Sequence, residues 1–179
     1  EKKGLLSFLS SKKDIRNAQY NLGVMDEKGT GGGKNDKTAV KWYELAAEQG
    51  NSYAQSNLGV MYEKGTGVAK NDKTAVKWYE LAAEQGNARA QTNLGVMYEK
   101  GTGVAKNDKT AVKWYELAAE QGYILAQFNL GVMYRKGKGV PQNYKTAVKW
   151  YELAAEQGYI LAQFNLGVMY GKGKGVARN

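Results

Sequence analysis

The sequence predicts an all-α solenoid of stacked helix-turn-helix repeats, and three observations carry that reading. Asn21-Leu22-Gly23-Val24-Met25 returns at Asn57, Asn93, Asn129 and Asn165, a period of 36 residues. Within each period, apolar residues recur at spacings of three and four, which is the spacing of one helical face. Glycines and asparagines punctuate each period at fixed places, as helix ends and helix starts do. A period in this range marks one supersecondary unit stacked on copies of itself. We divide the chain into a degenerate N-terminal capping helix (1–14), four repeats (15–50, 51–86, 87–122 and 123–158), and the first helix and loop of an incomplete fifth repeat (159–179).

The N-terminal segment comes first. Leu5, Leu6, Phe8 and Leu9 sit near helical spacing. Subtracting one period places Leu9 over Leu45 and Ser10-Ser11 over Ala46-Ala47. Residues 4–13 therefore read as a worn second helix that caps the stack. A secretory signal remnant would need a longer apolar core.

Repeat two defines the unit. Over 51–64, Ala54, Leu58, Met61 and Tyr62 form one face of a first helix, and Gly65 ends it. Gly59 lies inside this helix, where glycine costs about 1 kcal/mol relative to alanine. It recurs as Gly23, Gly95, Gly131 and Gly167, so close approach of the partner helix is expected. Residues 66–70 form a loop. Asn71 is the N-cap of a second helix, with Asp72 in the first turn where the helix dipole favours negative charge. Ala75, Trp78, Tyr79, Ala82 and Ala83 form its apolar stripe, and Gly86 closes it. Neither helix buries its stripe alone, so neighbouring copies must supply the missing contacts.

The two ends depart from this unit. Repeat one carries Asp26 where later copies have Tyr62, Tyr98, Tyr134 and Tyr170, and Gly32-Gly33 where repeat two has Val68-Ala69. These losses predict a terminal repeat with less to bury. Asn179 aligns with the N-cap positions Asn71, Asn107 and Asn143, and no start methionine is present, which reads as a piece of a longer array. The helix over 161–172 is then expected to expose part of its apolar face, to be covered by another molecule, or to fray.

Composition restricts the chemistry. The sequence contains no His and no Cys, which removes disulfides and the imidazole or thiolate ligands that most zinc, copper and iron–sulfur sites use. The usual general base at neutral pH is missing too. No metal or cofactor is expected. No apolar run approaches the roughly 20 residues of a membrane-spanning helix. The net charge of +9 is uneven: residues 1–14 carry +2, the four repeats 0, 0, +1 and +3, and residues 159–179 carry +3.

The interlocking pattern Ala54-x-x-x-Leu58-Gly59-x-x-Tyr62, Gly65-x-Gly67-Val68, Lys73-x-Ala75-x-x-Trp78-Tyr79 and Ala82-Ala83-x-x-Gly86 resembles the SEL-one-like repeat (SLR) family. The resemblance covers about residues 15–179. It implies a right-handed superhelix related to the tetratricopeptide repeats, acting as a scaffold for protein–protein contacts. It also implies a bacterial protein, with the periplasm or envelope favoured over the cytoplasm, although the residues themselves name no compartment. Some cysteine-rich relatives have been linked to β-lactam binding or hydrolysis, but this chain has none of their cysteines.

Columns that vary between copies are where a particular function can be written. One reads Asn17, Tyr53, Arg89, Leu125, Leu161; another reads Tyr20, Ser56, Thr92, Phe128, Phe164; a third reads Glu27, Glu63, Glu99, Arg135, Gly171. With a constant valine, these share one helical stripe beside the core stripe. In tetratricopeptide-like solenoids the corresponding face lines the concave groove. In repeats four and five it would be apolar, from Ile124, Leu125, Phe128, Ile160, Leu161 and Phe164, rimmed by Arg135, Lys136, Lys138, Lys172 and Lys174. An apolar patch with a charged rim marks an interaction site. It fits a protein or peptide partner with apolar anchors and acidic flanks. In the competing reading, these side chains belong to the core between repeats or cover the C-terminal end. Beside the stripe runs the ladder Asn21, Asn57, Asn93, Asn129 and Asn165. Asn93, Asn129 and Asn165 are candidates to bond a peptide backbone, although constancy in every copy favours a bond to the neighbouring helix or loop. The unpaired last helix also allows self-association.

Other motifs fail on inspection. Gly29-Thr30-Gly31-Gly32-Gly33-Lys34 has Asn35 where a phosphate loop needs Ser or Thr, and no strand precedes it. Ser10-Ser11-Lys12-Lys13 fits the Ser-x-x-Lys of penicillin-recognising enzymes, but their Ser-Asp-Asn and Lys-Thr-Gly are absent. Glu44 and Glu48 near Lys37 and Lys41 read as an ion-paired outer face. Lysines interspersed with carboxylates, and aromatics at core positions, argue against nucleic acid. The sequence reading is a non-catalytic interaction scaffold; the alternatives are a β-lactam-binding enzyme or, less favoured, a basic nucleic-acid binder.

Overall fold

The computed structural model of the chain describes residues 11–176. Among these, nine helices and no strands occur, and 72% of the described residues are helical. The helices are α1 (Lys12–Lys28), α2 (Asp36–Glu48), α3 (Ser52–Lys64), α4 (Asp72–Glu84), α5 (Ala88–Lys100), α6 (Asp108–Glu120), α7 (Ile124–Lys136), α8 (Tyr144–Glu156) and α9 (Ile160–Gly171). The repeat is therefore a helical hairpin, and the fold is an all-α solenoid. The chain divides into two compact units, Glu1–Ala90 and Gln91–Asn179, with the division inside α5. The expected capping helix lies largely outside the described residues; Lys12, Lys13 and Asp14 form the first turn of α1, which Ser11 caps by accepting from the Asp14 N–H.

The punctuation works as its chemistry requires. Asn35, Asn71, Asn107 and Asn143 each accept from the N–H of the threonine three residues on, at 3.0–3.1 Å. Gly65 adopts φ 71 and donates its N–H to the Met61 carbonyl, which closes α3. Two residues on, Gly67 has φ 70 and presses on the carbonyl of Asp36 in the preceding repeat, leaving no room for a Cβ. In the second unit Gly139 meets the Asp108 carbonyl in the same way. The inter-helix loop is thus also an inter-repeat contact.

In the first unit, Tyr43, Ala46, Ala47, Ala54, Leu58 and Met61 form a buried core from α2 and α3, with Val68 and Trp78 packed against it. A Cβ on Gly59 would collide with the ring of Tyr79, and one on Gly131 would lie 2.7 Å from the Tyr151 ring. This is the close helix approach that the recurrent glycine predicts. Gly167 differs, since no atom lies within 4 Å of its Cβ position. Asp26 is buried despite its polarity, whereas the tyrosines at this position in the later copies are half-buried. The loop of repeat one does have less to bury, because Gly32 meets nothing where Val68 packs on the core.

The copies are joined by an amide ladder absent from the sequence expectations. The Gln85 amide donates to Gln55 at 2.7 Å, and the Gln55 amide donates to the Ala47 carbonyl at 3.1 Å. The second unit repeats it: Gln157 donates to Gln127 at 2.8 Å, and Gln127 to the Ala119 carbonyl at 3.3 Å. Gln55 and Gln127 are buried, so these bonds satisfy polar groups removed from water. Only the constancy of the glutamine column in the sequence could have revealed it.

Candidate functional site

The varying columns fall on first helices, and each unit presents its own part of them. In the second unit the structure separates the six apolar candidates. Ile124 and Phe128 are half-buried and pack on the core of Tyr151, Ala154 and Ala162. The Phe128 ring lies 5.0 Å from Tyr159, edge-on, and 5.7 Å from Tyr151. Leu125, Ile160, Leu161 and Phe164 face solvent, at 40%, 76%, 52% and 68% exposure. The inter-repeat reading thus describes Ile124 and Phe128, while Leu125 on α7 and Ile160, Leu161 and Phe164 on α9, the last described helix, are exposed.

In the first unit, Tyr53 is 65% exposed, with its ring 6.0 Å from Tyr20. Arg89 donates to the side chain of Asn57 at 3.0 Å. Asn57 also bonds the Tyr43 hydroxyl and draws its pKa down, against the larger upward effect of burial. In the second unit Asn93 and Asn129 are half-buried on α5 and α7, and Asn165 donates back to the Leu161 carbonyl at 2.8 Å. The bonds of Asn57 and Asn165 lie within the fold, the first between helices and the second inside one helix.

The Glu-to-Arg column has a structural role. The Tyr43, Tyr79 and Tyr115 hydroxyls donate to Glu27, Glu63 and Glu99 at 2.6, 2.7 and 3.0 Å. Burial pushes the Tyr43 and Tyr115 hydroxyls well above the ordinary phenol value, and the facing carboxylates push in the same direction. In repeat four the polarity reverses: Arg135 Nε donates to the Tyr151 hydroxyl at 3.1 Å. Lys138 also serves the fold, pairing with Glu99 at 3.3 Å. Lys174 lies 4.9 Å from the centre of the Tyr144 ring. The carboxylates on the second helices face tyrosines of the following copy, since Glu44 accepts from Tyr62 at 3.3 Å and Glu152 from Tyr170 at 3.1 Å.

Among the described residues, no group of three or more His, Cys, Asp or Glu side chains could hold a metal. No described helix is long and apolar enough to cross a membrane.

A stack of helical hairpins with exposed first-helix side chains is the architecture of a helical-repeat interaction module. The Sel1 repeat model matches residues 16–51, 52–87, 88–123, 124–159 and 160–179. The chain belongs to the Sel1 repeat family, whose members generally mediate protein–protein interactions and are typically non-enzymatic. Solved structures agree. A protective antigen of uropathogenic Escherichia coli strains, displaying an SLR fold, is 40% identical with a TM-score of 0.89 over 94% of this chain and 36% of its own. A Sel1 repeat protein from Oxalobacter formigenes is 40% identical with a TM-score of 0.88, over 99% of this chain and 71% of its own. Helicobacter pylori cysteine rich protein B is 27% identical with a TM-score of 0.59, over 74% of this chain and 96% of its own. The chain thus spans little more than a third of the length of the E. coli antigen. No curated protein matches it.

Proposed function

We propose that the chain is a non-catalytic scaffold that takes an apolar, acid-flanked peptide or helix of a partner protein on the first-helix faces of its second unit. The observation that carries this is Leu125, which stays exposed with the following repeat packed beside it, and its likewise exposed column-mate Leu161. An exposed apolar column beside basic residues is the kind of surface that marks an interaction site. Net positive charge on repeats four and five supplies the complement to acidic flanks. Tyr53 and Arg89 would serve as secondary contacts on the first unit. Phe128 acts differently from its column-mate Phe164, as the packed base on which the face is built. The β-lactam alternative gains nothing from the site: Ser10 lies outside the described residues, and Ser11 beside it is a helix cap.

The test is a displayed peptide library selected on the purified chain and counter-selected on Leu161→Asp with Phe164→Asp. Both positions are exposed, so the variant should keep its helicity and melting temperature. The expected result is an enriched motif of apolar residues beside Asp or Glu that the variant fails to hold. Absence of any motif, or one held equally by the variant, sinks the reading. Nitrocefin turnover by the chain would argue for the enzyme instead.

A further inference from the structure

Repeats four and five differ from the others in charge, and the difference converges on one place. A concavity of about 270 Å3 opens between α7 and α9, lined by Arg135, Lys136, Lys172 and Lys174 together with Gln142 and Asn165. Among the described residues, no carboxylate lines it. The counterpart in the first unit, about 360 Å3, is lined by Lys28, Lys34, Asn57 and Arg89 but also by Glu27. The equivalent of Glu27 is Arg135, and Lys174 stands in the column that carries Thr30, Thr66 and Thr102. Arg135 in place of glutamate adds two positive charges and Lys174 adds one. Tyr144 adds one by replacing the aspartate of Asp36, Asp72 and Asp108, and Gln142 gives one up from the lysine of Lys34, Lys70 and Lys106. The net gain of three turns a mixed groove into a basic one.

The fold leaves most of that charge uncompensated. Arg135 uses Nε on the Tyr151 hydroxyl, which is one of the five N–H donors of a guanidinium. Lys174 rests on the ring and hydroxyl of Tyr144, neither of which neutralises it. Lys136 and Lys172 are exposed. Cations gathered in a concavity focus the field and attract a counter-charge, and a guanidinium matches the two oxygens of a carboxylate.

We propose that this concavity is a carboxylate-binding subsite that takes paired acidic side chains of a partner peptide. The proposal rests on the α7–α9 reading above for the peptide's path, and it adds the chemistry and spacing. Leu161, Asn165 and Val168 lie on one stripe of α9, and Val168 lines the concavity. At 1.5 Å per residue, the apolar face and the basic subsite are separated by about 10 Å. An extended peptide covers that with about three residues. The ligand is an extended segment with two adjacent acidic residues about three positions from an apolar anchor.

Fluorescence anisotropy of the full chain tests this with labelled hexaglutamate, labelled hexaglutamine, and inorganic phosphate as competitor. A labelled hexathymidine strand tests the nucleic-acid source of negative charge. Hexaglutamate should bind in low salt, hexaglutamine should not, and binding should weaken as salt screens it. Arg135→Glu with Lys174→Thr restores the residues of the earlier copies at the two positions that add positive charge, and Glu is already compatible with the facing tyrosine. That variant should keep its melting temperature and lose hexaglutamate affinity by about tenfold or more. Equal affinity in variant and parent, no preference over hexaglutamine, displacement by phosphate as readily as by unlabelled hexaglutamate, or tighter binding of hexathymidine overturns the proposal. Leu161→Asp separates the two readings. A chain that holds hexaglutamate but loses library-selected apolar peptides supports the subsite. One that captures those peptides and ignores hexaglutamate overturns the subsite alone.

Discussion

Arg135 Nε donates to the Tyr151 hydroxyl at 3.1 Å, where in the preceding repeat Glu99 accepts from the Tyr115 hydroxyl at 3.0 Å. A hydroxyl both donates and accepts, so the tyrosine column tolerates either charge opposite it. Charge can therefore be rewritten at this position while the hairpin stays closed. Arg135→Glu should fold within about 0.5 kcal/mol of the parent. Arg135→Ala, which removes the partner, should lose about 1 kcal/mol. Urea denaturation of both chains checks this, and equal loss in the two would show that the bond to Tyr151 contributes nothing.

The recurrent glycine should give opposite signs in two copies. Gly131→Ala drives a methyl group into the Tyr151 ring and should cost about 1–3 kcal/mol. Gly167→Ala meets nothing within 4 Å, since the facing tyrosine of the other copies falls twenty residues on, past Asn179, and in this 179-residue chain it should stabilise by about 0.5–1 kcal/mol through its helix propensity. Thermal melts of the two variants compare them directly.

The glutamine ladder should behave as buried structure. Gln127→Leu removes two side-chain bonds, while the Ala119 carbonyl still accepts from the Gly122 N–H and the Gln157 amide still donates to the Gly122 carbonyl, and should cost about 1 kcal/mol. Gln163→Leu, at an exposed position of α9, should cost far less. Similar losses at both positions would contradict the role of burial.

The raised phenols set an alkaline limit. Tyr43 and Tyr115 hold their protons in the folded chain above the ordinary value of 10.0, chiefly through burial. Above pH 10.0 the unfolded chain releases protons that the folded chain keeps, so the unfolded state gains. Stability from these groups should be complete below pH 10.0 and decline as pH rises beyond it. Phenolate absorbance and helicity followed together through an alkaline titration check this: the buried tyrosines should ionise only as helicity is lost.

Much of this architecture was legible because a repeat is its own alignment. The caps Asn71 and Gly65, and the close approach at Gly59, follow from the chemistry of single positions. Phe128 and Phe164 share a column and a residue type, and only the place of Phe164 in the last helix predicts a difference in exposure. Phe128 packs against Tyr151 and Tyr159, whose counterparts for Phe164 would fall one period on, past the last residue of this sequence. The Asn column drew notice because asparagine is a poor helix former, whereas Gln55 and Gln127 are ordinary in helices and raised no such flag. Asp26 reads as one of two apolar losses in a terminal repeat, yet it is buried, because burial follows its place in the hairpin rather than its polarity.

The central claim is that the partner sits on α7 and α9 of the second unit. Backbone amide chemical shifts of the full chain, recorded while an apolar, acid-flanked peptide from the library selection is added, test it most directly. The account predicts that the shifted resonances cluster at Leu125, Leu161, Phe164 and Lys172–Lys174. Shifts gathered instead on the outer leucines of the second helices, Leu45, Leu81, Leu117 and Leu153, would contradict it.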